Sequence, residues 1–531
     1  MGASAGTSSS GRAPGWNKTG RHLRTFAVFY LALLCAVFTI IVYYPGYMSP
    51  DSVAQLSRAR NGVADNTFPP LMDYIWAVTD KILPGPAGML ILHNVVFWFS
   101  LALIAFITIA RLVWQIVFVL LAGFWPPTYG SIGTIWKDVG MQIFLLAALA
   151  AIFYAHYHRR LWPLAVSAVC MFVAAGYRHN GVAALVPMYV LVILGFASLV
   201  PERIPRLDAA LRRHDFKRAF YVAAYLVSLG ITLKAVDFVY TYRVSDTKLW
   251  ASALVFDLAA ISVQQNTNYL PRCADPGNQI TVADLKGMYS PLHANSLIDP
   301  SCRRGLGIPN PSQKRIVACG LTEAQARDLQ LRWFTVVLDN LGSYLRHRLI
   351  IAGKLFVVEA RQPWYPYITG IDANPFGLKV KPSPLNSAVM RIIETSAFRT
   401  PLYSAWIYYV IVGVCLAVSF LWDFAYARTV QLLAASVCLY WLSIFFFGMS
   451  GDFRYNIWAL TCAYVCPVLL FAGRKRRTFP PAQEPNVCMI QAQLVKNVVP
   501  LGSPDDLQCQ SGITAGEGGR QSGPSQAAPE P

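Results

Sequence analysis

The chain has 531 residues, 55% of them hydrophobic and only 14% charged, with a mean hydropathy of +0.42. An ordinary soluble domain carries about 25% charged residues, so this composition excludes a chain whose whole surface faces water. The net charge is +18, from 45 Lys+Arg against 27 Asp+Glu. No basic run accompanies a nucleic-acid-binding pattern, so no nucleic-acid partner is expected.

From the N-terminus, residues 1–23 are Ser/Gly-rich and basic and read as a disordered tail. Apolar blocks then recur at lengths of about 20 residues, one helix across ~30 Å of hydrocarbon. Backbone groups in lipid must bond internally, which predicts a helix for each block. The first, 25–44, is too long for a signal-peptide core and lacks a small-residue cleavage site, so it reads as a retained span. An external loop at 45–86 follows. Further spans are expected at 87–110, 112–125, 139–155, 161–176, 182–200 and 219–240, closing an N-terminal module over 24–240. A large external segment occupies 241–401. Spans at 402–422, 429–448 and 456–472 form a C-terminal module over 402–473, and 474–531 reads as a disordered tail. The expected fold is thus all-α and polytopic, with about ten spans and juxtamembrane amphipathic helices.

The Lys and Arg residues choose the orientation. With the N-terminus inside, Arg111, Arg159-Arg160, the Arg203–Arg218 group, Arg428 and Arg474-Lys475-Arg476-Arg477 all fall on the cytoplasmic side. Both termini are then cytoplasmic, in a plasma (cell inner) membrane.

That sidedness places most of the unusual polar motifs on the external face. After the first span comes Pro45-Gly46-Tyr47-Met48-Ser49-Pro50-Asp51-Ser52. Ser49 suits a helix N-cap and Pro50 the first helical position. This predicts a helix over about 51–60 with Asp51 in its first turn. Val53, Leu56 and Ala59 share one face, which suits a membrane surface. Asp51 is a candidate proton acceptor or metal ligand, although an acid in a first turn also simply complements the helix dipole. Phe68-Pro69-Pro70 reads as a rigid corner feeding a second amphipathic helix that carries Asp73, with Asp65 before it.

Lys137 and Asp138 sit at the mouth of the fourth span. Arg178, His179 and Asn180 make a tight corner between two spans, and Asp452 and Arg454 precede the last one. Lysine and arginine in such places bind phosphate, or serve as interfacial anchors and local ion pairs. Lys234 and Asp237, three apart in the seventh span, are expected to pair with each other. Arg346-His347-Arg348, on a helix predicted over 333–358, reads as a basic membrane-surface face. Cys273, Cys302 and Cys319 allow one external disulfide with one thiol left over. The sequence contains no phosphate loop, no HExxH and no CxxC pair.

These motifs in this order resemble bacterial polytopic glycosyltransferases of the GT-C class, the arabinosyl- and mannosyltransferases that use lipid-phosphate sugars. The resemblance covers most of 24–473. It rests on Ser49-Pro50-Asp51-Ser52 in the first external loop, two juxtamembrane helices, a large late external segment and Asp452-Phe453-Arg454-Tyr455. It implies an inverting transfer from a polyprenyl-phosphate-linked donor to an envelope glycan, lipid or protein acceptor. Asp51 would be the base, with Lys137, Arg178 and Arg454 on the donor's phosphate. The chain departs from the pattern where a His would precede the Pro-Pro pair, reading Asn66-Thr67-Phe68, and where a second acid would follow Asp51, reading Ser52. A divalent metal stays open as a cofactor, with no cluster to hold one. Two other readings compete: a transporter or lipid flippase using Lys234 and Asp237, and a non-catalytic envelope assembly protein.

Overall fold

A computed structural model describes residues 18–62, 65–213, 216–242, 244–298, 316, 320–358 and 363–473. Both expected disordered tails lie almost wholly outside these residues, as do Cys302 and Cys319; Cys273 is buried as a free thiol. Among the described residues the fold is helical, with only isolated β-bridges.

The helices in chain order are α1 (Lys18–Tyr43), α2 (Pro50–Asn61), α3 (Pro70–Ile82), α4 (Ala87–Thr108), α5 (Leu112–Gly123), α6 (Pro126–Ile132), α7 (Lys137–His158), α8 (Trp162–Tyr177) and α9 (Gly181–Arg203). There follow α10 (Pro205–Arg213), α11 (Lys217–Thr241), α12 (Trp250–Gln265), α13 (Val282–Met288), α14 (Glu323–Asp339) and α15 (Leu341–Phe356). The last are α16 (Pro384–Arg399), α17 (Trp406–Leu421), α18 (Ala427–Phe447) and α19 (Ile457–Ala472). Among the described residues seven segments are long and apolar enough to cross a membrane: the apolar part of α1 from Thr25, then α4, α7, α9, α11, α18 and α19 with its preceding turn.

The other three expected spans differ in form. The block expected at 112–125 is α5, broken from α6 by a bend of 64°. Trp125 is extended and Pro126 starts the new helix, because proline lacks the N–H that would continue the old one. The blocks at 161–176 and 402–422 are α8 and α17, each an apolar helix of 16 residues.

α7 is the most enclosed of these segments and packs on α4 and α8. Gly140 makes the α7–α8 approach possible: a Cβ there would lie 2.1 Å from the Tyr177 ring. Outside the bundle, α12 to α15 carry a second apolar core of Val255, Phe256, Leu285, Leu329 and Ile351. The helix expected over 333–358 is two helices that part at Asn340.

Arg346-His347-Arg348 is not a surface face. Arg346 is exposed, but His347 and Arg348 are buried against Asp257 of α12. The stretch has helical period, so a turn of 100° per residue sends the last two inward and leaves the first outside.

Candidate functional site

The first loop is held in a short backbone sandwich. Gly46, at φ +113, turns the chain out of α1. Tyr47 N–H then donates to the Gly133 carbonyl and Ile135 N–H to the Tyr47 carbonyl, both at 2.9 Å. On the other side Met48 N–H donates to the Gly370 carbonyl at 3.0 Å and Asp372 N–H to the Met48 carbonyl at 2.9 Å. Residues 133–137 and the stretch 370–372 therefore flank the start of α2.

α2 begins as the sequence predicts, with Ser49 as N-cap in a reciprocal capping box with Ser52 and Pro50 in the first turn. Ser52 also donates to the Ile135 carbonyl at 2.8 Å, and Trp136 Nε1 donates to Ser49 Oγ at 3.0 Å. Where the resemblance would put a second acid, this chain has a residue that fastens the loop. The face of Val53 and Leu56 packs into the protein core, with Ala59 beside it, instead of lying free for a membrane surface.

The Pro-Pro corner opens α3. Asp73 in that helix is fully buried and receives Arg58 Nε at 2.7 Å and Gln55 Nε2 at 3.1 Å. Burial outweighs those partners and pushes its carboxyl up to about 7. Arg58 also pairs with Asp65. Asn66, near the expected histidine, donates to Asp246 Oδ1 at 3.0 Å and accepts from Thr247 N–H at 2.9 Å, pinning the corner to the external segment.

Six of the eight sequence candidates form one charged cluster. Arg454 Nη2 lies 2.9 Å from Asp51 Oδ2 and 2.9 Å from Asp452 Oδ2. Lys137 Nζ lies 3.6 Å from the same Asp51 oxygen. Asp138, 1% exposed, pairs with Arg178, and its other oxygen is 3.7 Å from Arg454 Nε. Ser450 Oγ donates to Asp452 Oδ1. Three carboxylates thus face three cations. Aromatic rings floor the cluster: Arg178 lies 4.2 Å from the Tyr455 ring centre, Arg454 5.2 Å from Trp136, and Lys137 4.8 Å from Phe68. Each guanidinium keeps one buried nitrogen without a hydrogen-bond partner, Arg178 Nε and Arg454 Nη1.

The cluster forms one wall of a cavity of about 1110 Å³. Asp51, Lys137, Arg178, His179, Asn180, Asp452 and Arg454 all line it; Asp138 stands behind Arg178. His179 is exposed along the cavity wall. Its setting deep between the helices, with Lys137 and Arg178 nearby, lowers its pKa from the ordinary histidine value. The opposite walls come from the segment between α11 and α16: Asp246, Trp250, His293, Asn295, Arg327 and Gln330. Leu331, Phe334 and Phe447 make an apolar side. Sequence reasoning missed all of these, because the external segment has no short motif. It also missed Tyr365, held at φ +55 over the cluster. Burial, the largest influence, raises the Tyr365 phenol to about 12, so it remains a neutral donor.

Lys234 and Asp237 pair at 3.8 Å as expected, but are 86% and 61% exposed on the outer face of α11 and do not line this cavity. Among the described residues no group of three or more His, Cys, Asp or Glu is placed to hold a metal ion.

Comparison of the chain with protein-family models, with curated proteins and with solved structures finds no match in any of the three.

Proposed function

We propose that the chain is a multi-pass membrane glycosyltransferase of GT-C type, moving a sugar from a polyprenyl-phosphate-linked donor to an envelope acceptor. The observation that carries this reading is the convergence of Asp51, Lys137, Arg178 and Arg454, spread over 403 positions, on one cavity. Transfer from a lipid phosphate needs cations for the departing phosphate and a base for the incoming hydroxyl. Lys137, Arg178 and Arg454 supply the first and Asp51 the second. The acceptor oxygen forms its bond to the anomeric carbon as the bond from that carbon to the phosphate oxygen breaks. The hydroxyl proton passes to Asp51, and the polyprenyl phosphate leaves with the electron pair.

The apolar side of the cavity suits a lipid-linked substrate. The connections that supply the cluster are all ones that the positive-inside pattern assigns to the external side, so in this reading the chemistry occurs on the outer face of the plasma membrane, with both termini in the cytoplasm. The transporter reading gains no support from Lys234 and Asp237, which face outward.

The test is complementation of a strain lacking the chain, read as the envelope glycan profile. The wild-type chain restores the lost glycan, and Asp51→Asn at equal expression does not. An unaltered profile in the deletion strain would sink the enzyme reading; full restoration by Asp51→Asn would remove Asp51 as the base.

A further inference from the structure

The three carboxylates of the cluster are not equally committed. Asp138 is 1% exposed and Asp452 9%, and Asp452 is also fixed by the Ser450 hydroxyl. Asp51 is 17% exposed, and a single oxygen of it meets both Arg454 and Lys137. A guanidinium and an ammonium on the same carboxylate oxygen weaken it as a proton acceptor. They are also the groups a phosphate needs. Base and phosphate therefore compete for the same nitrogens.

We propose that a lipid-linked phosphate binds by exchange, taking Lys137 Nζ and Arg454 Nη2 from Asp51, so that the donor itself frees the carboxylate to accept a proton. This rests on the glycosyltransferase reading and adds an order to it: donor before acceptor activation. The donor's phosphodiester carries one charge on two non-bridging oxygens, which can engage the guanidinium and the ammonium together where a single Asp51 oxygen now meets both; the polyprenyl phosphate released by transfer, a monoester with a larger charge that farnesyl phosphate mimics, binds them more tightly still. Asp138 and Asp452 stay and keep Arg178 and Arg454 aimed. Once released beside a phosphate, Asp51 is surrounded by Asp452, Tyr365 and Tyr455 as well as the cations, and its affinity for a proton rises. Arg178, Asp138 and His179 stand in the next layer.

The experiment is calorimetric titration of the detergent-solubilised full chain with farnesyl phosphate, in two buffers of different ionisation enthalpy. Exchange predicts that Asp51→Asn binds farnesyl phosphate at least about tenfold tighter, since a partly buried competitor for the cations is gone. It also predicts that near about pH 5.5 wild type takes up a fraction of a proton more on binding than the variant does, as the released carboxylate gains proton affinity, while near neutral pH Asp51 stays ionised and available as the base. Asp452→Asn, which removes the same charge from the same guanidinium, keeps the wild-type proton count. Asp51→Ser serves as a second variant should the amide disturb the fold. Equal or weaker binding by both Asp51 variants, or proton counts equal to wild type, overturns the exchange. Inorganic phosphate is the second arm; affinity equal to that of farnesyl phosphate would assign the site to free phosphate and overturn the lipid-linked ligand. If wild type shows no saturable binding of farnesyl phosphate, the glycosyltransferase reading fails, and the exchange with it.

Discussion

Arg348→Met probes the lock that holds the external segment against the site. Arg348 Nη2 lies 2.6 Å from Asp257 Oδ1, and Nη1 donates to the Gly448 carbonyl at 2.7 Å. Asp257 also accepts from Trp333 Nε1 at 2.9 Å, and His347 Nε2 stands 3.3 Å from it, with Tyr289 OH 2.8 Å from the other ring nitrogen. All the charged members are essentially fully buried. Breaking a buried pair by removing one partner costs about 3–5 kcal/mol, because the other charge stays in low dielectric. For a unit the size of the external segment that is a fall in Tm of roughly 10 °C.

The pH dependence separates this account from simple loss of packing. Desolvation holds the wild-type His347 pKa below its ordinary value, with Arg348 adding to the depression and Asp257 opposing it. Its neutral form is therefore favoured in the fold, and wild type loses stability as pH falls below the unfolded histidine value of about 6.5. Without Arg348 the depression is smaller, so the variant loses less stability than wild type as pH falls through about 6.5. The deficit of the variant should thus be smaller at pH 5.5 than at pH 8. The double change Asp257→Leu/Arg348→Met should recover most of the loss. Melting curves in detergent, followed by intrinsic fluorescence at the two pH values, provide the assay. A loss below about 1 kcal/mol, or a deficit independent of pH, refutes the reasoning.

Three further predictions follow from other parts of the fold. Asp73 has a folded pKa near 7, above its unfolded value, so its contribution is present at low pH and lost as pH rises through 7. Wild-type Tm should fall between about pH 4 and 7 and level off above that, and Asp73→Asn should flatten the fall; a variant curve parallel to wild type would count against it. Gly140→Ala should cost about 1–3 kcal/mol, since its Cβ would overlap the buried Tyr177 ring, and this reads as a lower melting temperature. Replacing both Lys234 and Asp237 by Leu should leave glycan complementation at the wild-type level, because the pair lies away from the cavity; lost complementation with intact expression would revive a role for them.

The parts of the structure legible in the sequence are those that chemistry fixes within a few residues. Apolar blocks gave helices with ends shifted by a few positions, and Ser49-Pro50 gave the start of α2 because capping is local. The charge pattern sorted the connections into two sets, and residues from one of those sets meet at the cavity. The break between α5 and α6 was written in Trp125-Pro126 and is visible once proline's missing donor is weighed against a continuous apolar run. Arg348 and Asp257, 91 residues apart, were not legible, nor was Met48 bridging Gly370 and Asp372. Neither pairing leaves a periodicity. Each is settled by what tertiary packing brings close, and in one dimension Arg348 looks like any basic residue on a helix.

Those two long-range pairings explain why so large a segment, 241–401, accompanies so small a cluster. The segment carrying Arg454 is gripped at several points by external residues. Arg348 holds Gly448, Gly451 N–H donates to the Leu292 carbonyl at 2.9 Å, and Phe453 N–H donates to the Trp364 carbonyl at 2.9 Å. Met48, three residues before Asp51, is bonded to 370–372. The carboxylate at 51 and the guanidinium at 454 thus come from opposite ends of the chain, and each is fastened to the external segment through backbone hydrogen bonds. Backbone groups cannot swing as side chains do, so the 2.9 Å approach of Arg454 to Asp51 rests on a frame in which only side chains are free to exchange partners.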